Sequence, residues 1–148
     1  DILEMRLLFE NEMVRLSAKN RKPGHLRQME DIVHKEETTD RNQYREVAEL
    51  DYKFHQIIAL ASGNFIYSLL LNSFQEIYLH LSTLFFSDPE VCTMVFDAHK
   101  EIMDAVRKQD KEKAVRIMTK LLNHGAEHLE IMINKNQTKN RTQIPVTK

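Results

Sequence analysis

The chain has 148 residues, and its 21 lysines and arginines against 22 acids leave a net charge of −1. That length predicts one domain with a genuine core, and the charge balance excludes the basic footprint of a nucleic-acid-binding domain. Only three glycines and three prolines are present, too few for the turns of an all-β or α/β fold, so the expectation is all-α.

The first predicted helix covers residues 2–19, where Ile2, Arg6, Phe9, Met13 and Leu16 recur at helical spacing. It puts an arginine on the apolar face. Pro23 and Gly24 break the pattern. A second helix follows over 25–37, with Leu26, Met29, Ile32 and Val33 inward. The polar run 36–42 reads as a loop, with Asp40 as N-cap of the next helix. That third helix covers 42–61 with the stripe Val47, Leu50, Phe54, Ile57, Ile58 and Ala61, and Gly63 supplies its left-handed C-cap. A fourth helix over 64–86 is apolar almost all round, from Phe65 and Ile66 to Leu84 and Phe85. It is predicted to be buried on more than one side, as the central helix, an oligomer interface, or both. Asp88-Pro89 is a cap followed by proline at the first helical position. The fifth helix, 88–108, has Val95, His99, Ile102 and Val106 on one face. A tight turn at 108–110 leads to a sixth, 111–135, with Ala114, Met118, Leu121, Leu122, Leu129 and Met132. Residues 137–148 form a polar tail expected to fray. The sum is an antiparallel bundle of about six helices.

No apolar run approaches the roughly 20 residues of a membrane span, and the opening carries acids inside its apolar pattern, unlike a signal peptide. A single cysteine, Cys92, allows neither an internal disulfide nor a cysteine-rich zinc cluster. The expectation is a soluble, cytoplasmic domain with no membrane partner.

Two constellations carry chemistry. Asp51 and His55 are four apart and share a helix face beside Leu50 and Phe54. A divalent metal would satisfy both, and so would a simple hydrogen bond between them. His99 is a candidate third ligand from a facing helix, and His124 or His128 a candidate fourth. Arg6 either reaches to solvent past the core or offers a guanidinium fork to a carboxylate ligand within it. G-x-S-x-G, H-E-x-x-H and a glycine-rich phosphate loop are absent from the sequence.

Four blocks in order resemble the FCD domain, the C-terminal domain of FadR-type members of the GntR family of bacterial transcriptional regulators. They are DILEMRLLFENEMVRLSA at 1–18, with Arg6 and Glu10 as R-x-x-x-E; LDYKFHQIIALASGN at 50–64; HKEIMDAVR at 99–107; and DKEKAVRIMTKLL at 110–122. The resemblance spans residues 1 to about 130, so residues 1–136 are expected to form the domain. It implies a helical bundle that binds a small effector, often a carboxylate-bearing metabolite, and dimerises. In many members the bundle holds a divalent metal on one aspartate and three histidines. Asp51, His55 and His99 match three of these, and with Arg6 they form the expected effector site. At the third histidine's place stands Leu121, so the site has three protein ligands, or His124 substitutes, or the metal is lost and Asp51, His55 and His99 hydrogen-bond each other or an effector. Zinc, nickel, iron and manganese all suit such donors. The resemblance also implies an N-terminal winged helix-turn-helix domain, absent from this chain, through which alone DNA would be bound. The function expected is therefore effector sensing and homodimerisation, without enzymatic activity. The rivals are a metal-dependent helical-bundle enzyme and a purely structural dimerisation bundle.

Overall fold

The computed structural model describes residues 2–142. Seven helices follow one another without a strand among the described residues: α1 (Ile2–Asn20), α2 (Pro23–Thr38), α3 (Tyr44–Ala61), α4 (Phe65–Ser73), α5 (Gln75–Phe85), α6 (Pro89–Arg107) and α7 (Lys111–Thr142). The all-α bundle is as expected. Its central helix is α3, which packs on α1, α2, α4 and α5 and buries ten of its eighteen residues. A second layer forms where α7 lies against α1 and α6, and α2 against α6. The core runs through Met13, Met29, Phe54, Ile58, Ile102 and Met118, all fully buried.

Several helix ends follow the sequence signals. Asp88 accepts a hydrogen bond from the Glu90 N–H, with Pro89 in the first turn, and Gly63 has φ +75° just past α3. An L side chain there would be strained, so the glycine ends the helix at low cost. The turn before α7 puts Gln109 at φ +58°. The joints are tied across the bundle as well. Asn20 donates to the Ser62 carbonyl at 2.7 Å, and Arg21 donates to the last carbonyls of α6, Val106 O and Arg107 O.

Five expectations are corrected. The helix predicted over 64–86 is two helices, broken at Phe74 (φ −114°, ψ 19°). Asn72 is engaged by Tyr52 and Gln56, Ser73 bonds back to the Leu70 carbonyl, and Phe74 turns inward against Phe9. Side chains that compete for backbone or tertiary partners interrupt a helix without any glycine or proline. This arm is also not enclosed: Phe65 is 71% exposed, and Ile66, Leu69, Ile77 and Leu84 are exposed too. The run 36–42 is not all loop, because α2 starts at Pro23 and continues to Thr38, burying Glu36. Asp40 makes a local turn with the Asn42 N–H, and the cap position of α3 falls to Gln43. Finally, α7 continues through Thr142, since no glycine or proline interrupts it between Gly125 and Pro145. The rest of the predicted tail, 143–148, lies outside the described residues.

Candidate metal and effector site

Consecutive turns of α3 place Asp51 and His55 on its buried face, and α6 brings His99 opposite them. Each offers one ligand atom, and these atoms lie within 4.8 Å of one another. Nε2 of His99 is 3.4 Å from Asp51 Oδ1, and Nε2 of His55 is 3.8 Å from the same oxygen. All three residues are buried.

What orients them is a surrounding set of polar side chains from other helices. The Tyr78 hydroxyl on α5 donates to Asp51 Oδ2 at 2.7 Å, which leaves Oδ1 to face the imidazoles. Glu36 on α2 sits 2.7 Å from His99 Nδ1. Glu10 on α1 sits 2.5 Å from His55 Nδ1, an ion-pair contact without good hydrogen-bond geometry. A carboxylate at Nδ1 holds the proton there and turns the Nε2 lone pair inward, the arrangement that metal-ligating histidines ordinarily have. His99 Nε2 is fully buried and has no hydrogen-bond partner in the protein. Such an orphaned acceptor is costly unless something fills the gap.

Arg6 completes the group. Its Nε donates to Glu10 Oε1 at 2.5 Å, and its guanidinium carbon lies 4.6 Å from the Tyr78 ring centre. Three buried carboxylates, Glu10, Glu36 and Asp51, thus meet one guanidinium. With both imidazoles neutral, two negative charges remain uncompensated, an expensive state in a buried site. A divalent cation would cancel them. Without one, the protons respond. Burial pulls the His99 pKa down, but Glu36 and Asp51 outweigh it and lift it to about 9. Burial pushes Asp51 up, but His99, His55 and Tyr78 hold it at about 2. Glu10 is likewise held at about 2, by Arg6 and His55 against burial. Burial and Asp51 push Tyr78 well above its ordinary range, so it stays a donor.

The group opens into a cavity of about 560 Å³ between α1, α5 and α7, into which Arg6, Asp51, His55 and Tyr78 project. Leu121 lines it as well. His124 is exposed and stacks on His128, which pairs with Asp88 at 2.9 Å. The structure therefore brings together Arg6, Asp51, His55 and His99, and does not bring His124 to them. A second, larger groove between α2, α3 and α4 is surface-exposed and gathers no comparable donor set.

Sequence reasoning missed Glu36 and Tyr78. Glu36 does continue the helical stripe of 29, 32 and 33, but it opens a polar run that reads as a loop. Tyr78 had no signal, lying in a run that is apolar on every side.

Comparison with known proteins agrees with this architecture. The FCD domain family matches residues 1–124. The fatty acid metabolism regulator protein of Proteus mirabilis (strain HI4320) is 28% identical over 127 residues, covering 78% of this chain and 51% of that protein. The protein of the same name from Shewanella sp. (strain ANA-3) is 38% identical over 55 residues, 37% of this chain and 23% of that one. The chain thus spans about half the length, or less, of these curated relatives. Among solved structures, Streptococcus agalactiae GntR superposes with a TM-score of 0.64 at 27% identity, over 88% of this chain and 57% of that one. The two curated relatives are named as regulators, not enzymes. With five-sixths of its length matched and the bundle in place, the chain belongs to the FCD domain family of GntR/FadR-type regulators.

Proposed function

We propose that this domain senses a small carboxylate-bearing effector through a divalent metal held by Asp51, His55 and His99. In the whole regulator it dimerises and modulates DNA binding by an N-terminal winged helix domain. The observation that carries the reading is the buried set of three ligand atoms, each with its outer atom fixed by Tyr78, Glu10 or Glu36. The charge count and the orphaned His99 Nε2 support a divalent cation there. Three protein ligands leave coordination positions that an effector carboxylate can occupy, since structural zinc normally takes four. Leu121 fills the place where the family pattern has its third histidine, and no other described side chain joins the set. Arg6 adds positive potential at the mouth of the site while Glu10 holds its fork in place.

The effector would act by population shift, favouring one arrangement of the bundle over another. A coupling of about 1–3 kcal/mol changes operator affinity roughly 5–150-fold. Both Arg6 and Glu10 lie on α1, so a change at the site is felt directly by the helix on the N-terminal side of the domain. The exposed apolar row of Phe65, Ile66 and Leu69 on α4 supports a homodimer, with a closed twofold as the default symmetry.

Elemental mass spectrometry of the purified protein tests the central claim, with Asp51→Ala and His99→Ala alongside. About one metal per chain, lost in both variants, is expected. Absence of metal under every loading condition would overturn the metal reading and leave Arg6 with a metal-free pocket.

A further inference from the structure

His124 lies outside the buried set, but it is not isolated. On α7 it stands one turn before His128, and the two rings face each other with centroids 5.9 Å apart and planes 25° from parallel. Residues four apart share one helix face. His128 Nε2 in turn lies 2.9 Å from Asp88 Oδ2, just before α6. Asp88 Oδ1 is already used, as acceptor from the Glu90 N–H, so Oδ2 is the oxygen left for a second role. All three residues are accessible: His128 and Asp88 are partly exposed, and His124 is exposed.

Two imidazoles and a carboxylate are a donor set for zinc, nickel or copper(II). Histidines at i and i+4 reach one cation from a single helix face, the spacing that helical zinc motifs use. Ligand atoms about 2.0–2.1 Å from a tetrahedral ion lie roughly 3.3 Å from one another. The His128–Asp88 contact therefore has to open by roughly 0.4 Å, with the metal in place of the Nε2 proton. His124 supplies the third donor by turning about its own side-chain bonds, which an exposed residue does at little cost.

We propose that His124, His128 and Asp88 form a second, surface site for a divalent transition-metal cation, separate from the buried set of Asp51, His55 and His99. A cation there clamps α7 to the start of α6. It sits behind the cavity wall, since His128 meets Phe85 edge-on at 6.0 Å, and Phe85, Gly125 and Leu129 line the cavity. Its affinity is modest. Asp88 stands at the positive end of α6, Lys135 also acts on it, and water completes the coordination. The outer equivalent therefore washes out on desalting and returns on titration, whatever the buried set holds.

Calorimetric zinc titration of the whole chain and of Asp51→Ala separates the two sites, at slightly alkaline pH where exposed imidazoles are neutral. One weak outer equivalent per chain is expected in both proteins. His124→Ala and His128→Ala should each weaken it by more than about tenfold. Asp88→Asn, which keeps a capping oxygen, should weaken it by a smaller factor. NMR of the histidine rings reads the event directly: zinc should shift the signals of His124 and His128 together, in wild type and in Asp51→Ala alike. Circular dichroism verifies that each variant is folded.

An outer equivalent that survives either histidine substitution undiminished would overturn the proposal. So would ring signals of His124 and His128 that stay unmoved while the weak equivalent binds, or the absence of that equivalent at every zinc concentration that leaves the chain soluble. A single equivalent in the wild type, kept in Asp51→Ala and lost in His128→Ala, would support this site and overturn the metal reading of the buried one.

Discussion

In the part of the bundle built from α1, α2, α3 and α6, Glu10 and His99 are 0% exposed and Glu36 only 1%, while on α4 Phe65 is 71% exposed. The pattern is the reverse of what hydrophobicity alone would arrange. The polar group is buried because its members pair with one another, Glu10 with Arg6 along α1 and with His55 on α3, Glu36 with His99, and Tyr78 with Asp51. The α4–α5 arm has the opposite problem. Its apolar side chains point in more directions than α3 and α7 can cover. A buried polar network and an uncovered apolar face are both departures from plain core-and-surface logic, and each is a kind of feature from which binding sites are built.

Removing a ligand should break the polar region most completely. Asp51→Ala is expected to lower metal affinity by more than about a hundredfold, since it takes away the anionic ligand of the set. Metal titration with a competing chelator measures this. Removing a supporting carboxylate should have a smaller but distinct effect. Glu36→Gln keeps the shape and a hydrogen-bond acceptor but not the charge, and should weaken metal binding about 10–100-fold. Equal loss in the two variants would mean that Glu36 is itself a ligand.

The metal-free protein should carry the same network as a pH dependence. His99 rises from its ordinary 6.5 to about 9 in the folded state. Its contribution to stability is therefore fully present below about pH 6.5 and is lost as pH climbs through 9. Asp51 and Glu10, both held at about 2, contribute in the opposite sense. Their share is present above the ordinary carboxylate range and is lost as pH falls toward 2. Stability of the metal-free chain should thus peak near pH 5–6 and fall by up to about 3 kcal/mol between pH 6.5 and 9. Denaturant melts across that range check it. His99→Gln should flatten the alkaline limb, and added metal should do the same, because metal takes the place of the proton.

The difference between the two regions also explains what the sequence made legible. Helices with one apolar stripe were readable to within a few residues, as the buried Val95, His99, Ile102 and Val106 of α6 show. Asp51, His55 and His99 were identifiable because a polar residue inside such a stripe is conspicuous. Glu36 was hidden by composition: it opens a run of charged and hydroxyl residues that resembles a loop. The break at Phe74 was hidden for another reason. It comes from long-range contacts, Asn72 with Tyr52 and Phe74 with Phe9, that no local propensity encodes. Arg6 was visible, but its partner Tyr78, seventy-two residues away, was not.

A moderate effect is expected at Gly63, which joins the two regions. Gly63→Ala forces a Cβ into φ +75°, at a cost of about 1–2 kcal/mol. The new methyl meets Asn20 at 3.6 Å, an ordinary contact, so the loss should be that of backbone strain alone. A substantially larger loss in chemical denaturation would mean that the Asn20–Ser62 tie had been broken as well.

The smallest effect on folding should come from the most apolar residues of the arm. Phe65→Lys and Ile66→Lys replace exposed side chains at the start of α4, next to the Asn64 cap that accepts from the Ile66 N–H. Neither loses a core contact, so the stability of a single folded chain should change by no more than about 0.5 kcal/mol. A lysine on an interface between copies would leave an ammonium against apolar surface and weaken the dimer strongly. Sedimentation velocity over a concentration series reads that separately from a denaturant melt. Dissociation with unchanged chain stability would place the partner on this face. A large drop in chain stability would show instead that Phe65 packs within its own bundle, and the contrast between the arm and the polar region would then be one of degree.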